Sequence, residues 1–167
     1  MQTETIGEHP MHIEHFVLSD EILKPLCDNK KKVVAVGTTT VRTLESMYWL
    51  GVKAKLGLEN PLDLGQWEAY SLPDTVSVAD AFAALLNLLH QSGQQELTAS
   101  TCIMIAPGYQ YKVVNHLITN FHQPQSTLLL LVSALIGDNW HRVYDYALAH
   151  DFRFLSYGDS CLLKVGK

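Results

Sequence analysis

The sequence has few cysteines and few charged residues, and both shortages exclude classes of protein. Its 167 residues include 3 cysteines, which lie far apart at Cys27, Cys102 and Cys161. An odd number without paired spacing argues against a disulfide framework and a cysteine-based zinc site, and predicts a reducing, cytoplasmic location. Charged residues make up 17% of the chain, against roughly 25% in average domains. With 47% apolar residues, the chain is too hydrophobic for charge-rich disorder and is expected to form a soluble globular domain.

Long hydrophobic runs and an excess of basic residues are also missing. The most apolar stretch, residues 128–136, is much shorter than the roughly 20 residues that span a bilayer. Residues 1–10 contain Glu4, Glu8 and His9, so we predict a flexible N-terminal segment and not a secretory signal. No membrane partner is expected. The formal net charge of −5 disfavours indiscriminate nucleic-acid binding, although the lysines at 30–32 leave room for a local basic site.

Strand patterns alternate with helix patterns along residues 11–167, which predicts one α/β domain. We expect a layered α/β/α arrangement with a mostly parallel sheet, including a buried parallel strand at 33–36. Residues 38–51 predict an amphipathic helix that ends at Gly51, and residues 52–75 predict an irregular excursion with one short strand. Ser19, Ser77 and Ser126 are candidate helix caps. Residues 152–156 and 160–165 predict a C-terminal hairpin.

The turn after the first parallel strand is the first candidate site. Thr38, Thr39 and Thr40 follow Gly37, and Arg42 comes one turn later. Free amides at a helix start, hydroxyls and a guanidinium together suit a carboxylate or a phosphate. The structural alternative is a threonine cap with Arg42 paired to Glu45 or Ser46 on a solvated face. The glycine and lysine spacing of a P-loop is absent, which argues against nucleotide triphosphate hydrolysis.

Polar residues also crowd the junction between a strand and an apolar helix. Asn120 offers both a donor and an acceptor, and His122 titrates near neutrality, so this cluster can orient a substrate and move a proton. Phe121, Ser126 and Thr127 lie beside them. The alternative is purely structural, with Asn120 closing a turn and Ser126 capping a helix.

Two weaker candidates complete the set. His12 and Glu14 share one face of a predicted strand while His15 points the other way, which favours a substrate-contacting pair and predicts no metal site. Arg153, Tyr157 and Asp159 lie near the predicted last turn, where simple turn chemistry is the alternative.

Together these segments resemble the S-adenosylmethionine:tRNA ribosyltransferase-isomerase family of queuosine biosynthesis. The resemblance extends from Met11 to Lys164, and family members are about twice as long, so the chain corresponds to their C-terminal half. The motifs that carry it are Val36-Gly37-Thr38-Thr39-Thr40-Val41-Arg42-Thr43-Leu44-Glu45-Ser46, Pro107-Gly108-Tyr109, Leu117-Ile118-Thr119-Asn120-Phe121-His122, Pro124, Ser126-Thr127-Leu128, Arg153-Phe154 and Ser156-Tyr157-Gly158-Asp159.

The resemblance implies that S-adenosylmethionine is a co-substrate and that no metal is needed. Its ribosyl unit is transferred to the aminomethyl-deazaguanine wobble base of tRNA and isomerised, which gives epoxyqueuosine-tRNA, adenine and methionine. The implied partners are that tRNA and the missing N-terminal half of the enzyme. A noncatalytic module that binds RNA or S-adenosylmethionine, inactive without the other half, is the alternative.

The residue types then divide by chemistry. The predicted catalytic residues are the imidazole and carboxylate groups that can move a proton, namely His122, His12, Glu14 and Asp159. The predicted substrate-binding residues carry hydroxyl, guanidinium, amide and aromatic groups, namely Thr38, Thr39, Thr40, Arg42, Asn120, Phe121, Ser126, Thr127, Arg153 and Tyr157. We expect Arg42, Asn120 and Asp159 to gather in a single hollow.

Overall fold

The computed structural model describes residues 10–28 and 31–166. Residues 1–9 of the predicted N-terminal segment lie outside this described part. The elements within it, in chain order, are β1 (Glu14–Ser19), α1 (Asp20–Cys27), β2 (Val34–Val36), α2 (Thr38–Leu56), β3 (Asp63–Leu64), a short 3-10 helix (Glu68–Tyr70), α3 (Val78–Ser92), β4 (Glu96–Thr101), β5 (His116–Asn120), α4 (Thr127–Ile136), α5 (Asn139–Ala149) and β6 (Ser160–Lys164).

The strands form two small sheets, each of three strands, with the orders β1-β4-β3 and β2-β5-β6. The α/β class is confirmed. The prediction of a mostly parallel sheet is wrong, because β1 pairs with β4 and β5 with β6 in antiparallel fashion, while β2–β5 and β3–β4 are parallel. The prediction that the strand at 33–36 is buried is also wrong for β2 as a whole, because Ala35 is buried but Val34 and Val36 are exposed on the other face. A short apolar run carries no information on the direction of the neighbouring strands or on whether both faces are covered.

The predicted C-terminal hairpin is also wrong. Residues 152–156 form no strand, and β6 pairs instead with β5, which precedes it by two helices. The alternating Phe152 and Phe154 side chains both pack against the ring of Phe121, at centroid distances of 5.6 and 5.4 Å. Both side chains are therefore partly buried in an aromatic cluster without strand pairing.

Helix α2 runs through Gly51, where the sequence predicts its end, and stops at Gly57 in the left-handed conformation with φ 65°. Gly51 serves a different purpose. A Cβ atom there would lie 2.3 Å from the backbone oxygen of Ala81 on α3. The glycine therefore lets the two helix backbones approach closely, which no helix-capping rule detects.

Replacing Gly51 with alanine is expected to lower the free energy of unfolding by about 1–3 kcal/mol, because the new methyl group forces α2 and α3 apart. Urea unfolding followed by circular dichroism measures the change. Gly65→Ala is the matched control, since its Cβ would meet only the Glu68 side chain at 3.4 Å or more. Equal stability of the two variants would contradict the close helix packing.

The buried Lys53 of α2 binds the irregular segment that follows this helix, through Asp63 and Glu68. Its ammonium group donates to the carbonyl oxygen of Asp63 at 2.5 Å and lies 2.7 Å from a carboxylate oxygen of Glu68. The other carboxylate oxygen of Glu68 accepts a hydrogen bond from the Gly65 amide at 2.8 Å. These contacts let β3 add to β4 despite its length of two residues.

Helix caps follow the sequence prediction at two of three positions. Ser77 accepts a hydrogen bond from the Asp80 amide at 3.1 Å, and Ser126 accepts one from the Leu129 amide at 3.2 Å. Ser19 precedes α1 in the predicted place but makes no capping hydrogen bond with its side chain.

Candidate active site at the carboxyl ends of β2 and β5

The parallel strands β2 and β5 end at one edge of their sheet, and α2 begins directly at this edge. The Gly37 amide donates to the carbonyl oxygen of Ile118 at 2.9 Å, which ties the turn to β5. Gly37 has φ 87° and carries no side chain to cap the helix. The first amides of α2 have no acceptors within the helix, and the positive end of the helix dipole adds to their attraction for an anion.

The predicted threonines occupy the first turn of α2. Thr38 is half-buried, whereas Thr39 and Thr40 are exposed. The Thr40 hydroxyl donates to the carbonyl oxygen of Val36 at 2.8 Å, which joins the helix start to the strand end. An anion at this turn therefore meets backbone amides and the hydroxyls of Thr38 and Thr39.

His122 lies just beyond the end of β5. Its Nε2 atom is 2.9 Å from the hydroxyl of Thr119, and its backbone amide donates to the Tyr144 hydroxyl at 3.1 Å. Burial lowers the pKa of His122 from its ordinary value of 6.5. The imidazole is therefore mainly neutral at pH 7 and can accept a proton. Phe121, a predicted substrate contact, is buried in the aromatic cluster with Tyr144.

Asn120 joins the end of β5 to the loop before β6. Its side-chain amide donates to the carbonyl oxygens of Gly158 at 3.1 Å and Asp159 at 3.3 Å, and lies 3.4 Å from the Ser160 hydroxyl. This loop is tight, because a Cβ atom on Gly158 would lie 2.3 Å from the backbone oxygen of Arg153.

The carboxylate of Asp159 faces Arg153 across this loop. It accepts a hydrogen bond from the Arg153 amide at 2.7 Å and lies 3.4 Å from its guanidinium. The backbone hydrogen bond and the guanidinium lower the pKa of Asp159. Asp159 therefore stays ionised near neutral pH and is not a proton donor there. Arg153 is exposed, and Tyr157 is 98% exposed.

Ser126 and Thr127 begin α4. The Ser126 hydroxyl donates to the carbonyl oxygen of Gln123 at 2.8 Å while it accepts the capping hydrogen bond from Leu129. Both residues are half-buried. The structural role of Ser126 as a cap is thus present, and binding of a substrate by either residue stays a prediction.

Arg42 holds the start of β1. Its side chain is 8% exposed and lies 2.9 Å from a carboxylate oxygen of Glu14. It also donates to the carbonyl oxygens of Ile103 at 3.2 Å and His12 at 3.3 Å. His12 therefore takes part through its backbone, and its side chain is exposed. The second carboxylate oxygen of Glu14 is buried and has no hydrogen-bond partner within the described residues.

The structure thus sorts the predicted residues into two groups. One group surrounds the ends of β2 and β5 and contains the threonines, Asn120, His122 and Asp159. The other contains Arg42, Glu14 and His12. Within the described part of the chain, no hydrogen bond or ion pair joins Arg42 to Asn120 or Asp159. The single hollow that contains all three stays a prediction. The alternative pairing of Arg42 with Glu45 or Ser46 on a solvated face is wrong, because Arg42 is buried against Glu14.

Glu45 is a buried carboxylate, 0% exposed, that is not among the predicted site residues. It accepts hydrogen bonds of 2.9 Å from the amides of Lys112, Val113 and Val114 and from the Tyr109 hydroxyl. Burial raises its pKa, and these hydrogen bonds act in the opposite direction. Its spacing in the sequence could have indicated burial. Glu45 lies four residues after Val41 and three before Tyr48, which puts it on the apolar face of the helix.

A separate cavity of about 330 Å³ lies farther along α2. Trp49, Tyr70, Asp74, Tyr109 and Lys112 are among the residues that line it, and none of the predicted site residues does. Trp49 follows Thr38 by 11 residues, which corresponds to roughly 16 Å along a helix. The cavity is therefore distinct from the edge where β2 and β5 end.

Among the described residues, no group of three or more histidine, cysteine, aspartate or glutamate side chains is placed to hold a metal ion. In that part of the chain, every helix is too short or too polar to cross a bilayer. Cys27, Cys102 and Cys161 are free thiols.

Comparisons with known proteins agree on one family. The family described as Queuosine biosynthesis protein matches residues 1–163. The S-adenosylmethionine:tRNA ribosyltransferase-isomerase of Treponema denticola is 35% identical over 98% of this chain and 37% of its own length. The protein of the same name from Polynucleobacter asymbioticus is 34% identical over 98% of this chain and 35% of its own length.

A solved structure gives the same result. The S-adenosylmethionine tRNA ribosyltransferase of Thermotoga maritima is 30% identical, with a TM-score of 0.56, over 89% of this chain and 39% of that protein. The chain spans between 35% and 37% of the length of these curated relatives, so they are nearly three times as long as the chain and the predicted factor of two is wrong.

Proposed function

Because the chain belongs to the family of queuosine biosynthesis proteins, we propose that it forms the C-terminal part of an S-adenosylmethionine:tRNA ribosyltransferase-isomerase. The proposed reaction moves the ribosyl unit of S-adenosylmethionine onto the aminomethyl-deazaguanine wobble base of tRNA and isomerises it to the epoxycyclopentanediol. Adenine and methionine leave, and epoxyqueuosine-tRNA is the product. The proposed location is the cytoplasm, and no metal takes part.

The observation that carries this proposal is the shared edge of β2 and β5. There the open N-terminus of α2 lies beside the strand end that carries Asn120 and His122. An anion-binding helix start next to a neutral imidazole suits a substrate that has a carboxylate or phosphate and a proton to lose. S-adenosylmethionine has a carboxylate, and its positive sulfur acidifies the neighbouring ribose carbon.

Each group at this edge has a proposed task. The first turn of α2, with Thr38 and Thr39, binds the methionine carboxylate or an RNA phosphate. Neutral His122 removes the proton from the ribose carbon next to the sulfur, because its lowered pKa leaves it unprotonated at pH 7. Asp159 orders the loop before β6 through Arg153, since its lowered pKa prevents it from protonating the departing adenine.

The remaining predicted residues are proposed to bind or to position. Arg42 uses three of its five N–H groups within the chain, on Ile103, Glu14 and His12. It therefore acts mainly by holding Glu14 at the start of β1. The exposed Tyr157 and Arg153 are proposed to contact tRNA, since their side chains are open to solvent.

Two measurements on the isolated chain test the proposal. Calorimetric titration with S-adenosylmethionine measures binding, and chromatography measures adenine release in the presence of tRNA that carries the deazaguanine precursor. Release that requires the precursor supports the enzyme. Binding without release supports a noncatalytic module that needs the rest of the family protein. If the chain neither binds nor releases adenine, even when the missing part is supplied, the proposal fails. Unmodified tRNA is the control substrate.

His122→Gln is expected to lower adenine release about 100-fold at pH 7.5, because glutamine can contact Thr119 but cannot accept the proton. In the unaltered protein the rate should fall with decreasing pH only below 6.5, since the folded protein keeps His122 neutral to lower pH than a free histidine. For the same reason, the stability that neutral His122 provides is lost as the pH falls through its lowered pKa. NMR titration of the ring measures this pKa without any activity.

The matched control for that variant is His90→Gln, whose ring is exposed on α3 and pairs with Asp20. It should retain the full rate of adenine release. If His122 titrates at or above 6.5, or if both variants are equally active, His122 is not the base.

A further inference from the structure

The sheet β2-β5-β6 has one open face that carries an apolar row. Ala35, Leu117 and Leu163 point from neighbouring strands into the core and are at most 6% exposed. The residues next to them point the other way, because side chains alternate along a strand. On that outer side, Val36 pairs with Ile118 and Ile118 with Leu162.

This row, Val36-Ile118-Leu162, is not covered by the described part of the chain. Val36 is 65% and Leu162 64% exposed, and Val34 beside them is 50% exposed. Ile118 lies on the central strand and is half-buried. Three adjacent aliphatic side chains across three strands form a continuous apolar strip, unlike single exposed apolar residues.

The other sheet of the same molecule provides an internal comparison. Its outer face pairs His15 with Ser100 and Ser100 with Asp63, and the Ser100 hydroxyl bonds to the Asp63 carboxylate. The next pair on that face joins Val17 to Thr98. This outer surface is mostly polar, as expected for a sheet face in contact with water. On the face of β2-β5-β6 the polar pairs, His116 with Lys164 and Asn120 with Ser160, lie on either side of the row, and the row between them is entirely apolar.

We propose that the row Val36-Ile118-Leu162 is the docking surface for the region of the family protein that lies outside this chain. The chain spans only 35–37% of its curated relatives, so nearly two thirds of each relative is available to cover it. The row crosses the strands that carry the candidate site, with Ile118 two residues before Asn120. A docked region would therefore reach the edge where the site lies and complete it.

This inference rests on the proposed function, because it takes the chain as part of a longer enzyme. Its test measures association and not catalysis. The tagged chain is co-expressed with a polypeptide that comprises the residues of the Treponema denticola relative outside the matched region. Affinity purification followed by titration calorimetry gives the dissociation constant of the pair.

The test variant is Val36→Thr/Leu162→Thr. Threonine is both β-branched and polar, so it is compatible with an exposed strand but removes the apolar surface. We expect it to bind the complementary polypeptide at least 10-fold more weakly while the isolated variant unfolds at the same urea concentration as the unaltered chain. The matched control is Val17→Thr/Leu148→Thr, which removes two exposed apolar side chains elsewhere and should bind normally.

Three results would overturn the inference. In the first, the unaltered chain does not retain the complementary polypeptide. In the second, the test and control variants weaken binding to that polypeptide equally. In the third, the chain alone forms a dimer that the test variant abolishes. The last result assigns the row to a second copy. If the pair associates through the row but releases no adenine from S-adenosylmethionine and precursor tRNA, the proposed function fails and the docking surface stands.

Discussion

Replacing Glu45 with alanine is expected to destabilise the protein more than any other single change considered. Four buried donors, three backbone amides and the Tyr109 hydroxyl, would lose their acceptor. Each unsatisfied buried donor costs about 1–3 kcal/mol, so the expected loss is at least about 4 kcal/mol. Since whole domains are stable by only about 5–15 kcal/mol, the variant should lose a large part of its total stability. Urea unfolding monitored by tryptophan fluorescence measures the loss.

Two further variants separate this explanation from a general sensitivity of the fold. Glu45→Gln keeps one acceptor oxygen but turns amide hydrogens toward two of the donors, so its loss should be intermediate. Glu59→Ala removes an exposed carboxylate just beyond α2 and should leave the stability nearly unchanged. If Glu45→Ala behaves like Glu59→Ala, the loop at 112–114 is not held by the carboxylate.

Replacing Arg42 with methionine is the second change with a large expected effect. Methionine fills part of the space but leaves the Glu14 carboxylate without its cation and the carbonyl oxygens of Ile103 and His12 without donors. Removing one partner of a buried ion pair costs about 3–5 kcal/mol, and this pair is largely buried. Faster hydrogen exchange at the start of β1 should accompany the loss, because Arg42 connects that strand to α2.

The comparison for Arg42 is Arg153→Met. Arg153 also pairs with a carboxylate, that of Asp159, but its side chain is 75% exposed and the pair is screened by water. This variant should unfold at nearly the same urea concentration as the unaltered chain. Arg42→Lys should recover only part of the stability, since an ammonium cannot match the planar arrangement of three acceptors. Equal effects at the two arginines would show that Arg42 is not a buried anchor.

Local elements were predicted well because their signals lie within a few residues. The capped starts of α3 at Ser77 and of α4 at Ser126 follow from short-range rules of capping. The same holds for the turn at Gly37, where a strand becomes a helix. The candidate threonines and His122 could be selected on this basis, together with the family motifs that contain them.

Elements that depend on distant contacts were predicted poorly. Gly51 resembles a helix end in sequence, but the backbone of Ala81 makes it a packing residue inside α2. Phe152 and Phe154 have the alternating spacing of a strand, but both rings pack against the ring of Phe121 in an aromatic cluster. Both errors have the same cause. The contact that explains each residue is made with a residue far away in the sequence, whereas the prediction explained it by the residues next to it.

The amino-acid sequence alone determined the α/β class, most helices and the family, because periodicity, capping and long motifs are properties of contiguous residues. Tertiary structure alone decided which charges are buried and which partners they have. Arg42 meets Glu14 across 28 residues, and Glu45 meets Val114 across 69. Such pairings depend on how strands and helices pack, and burial makes them strong by removing the water that otherwise competes for each charge.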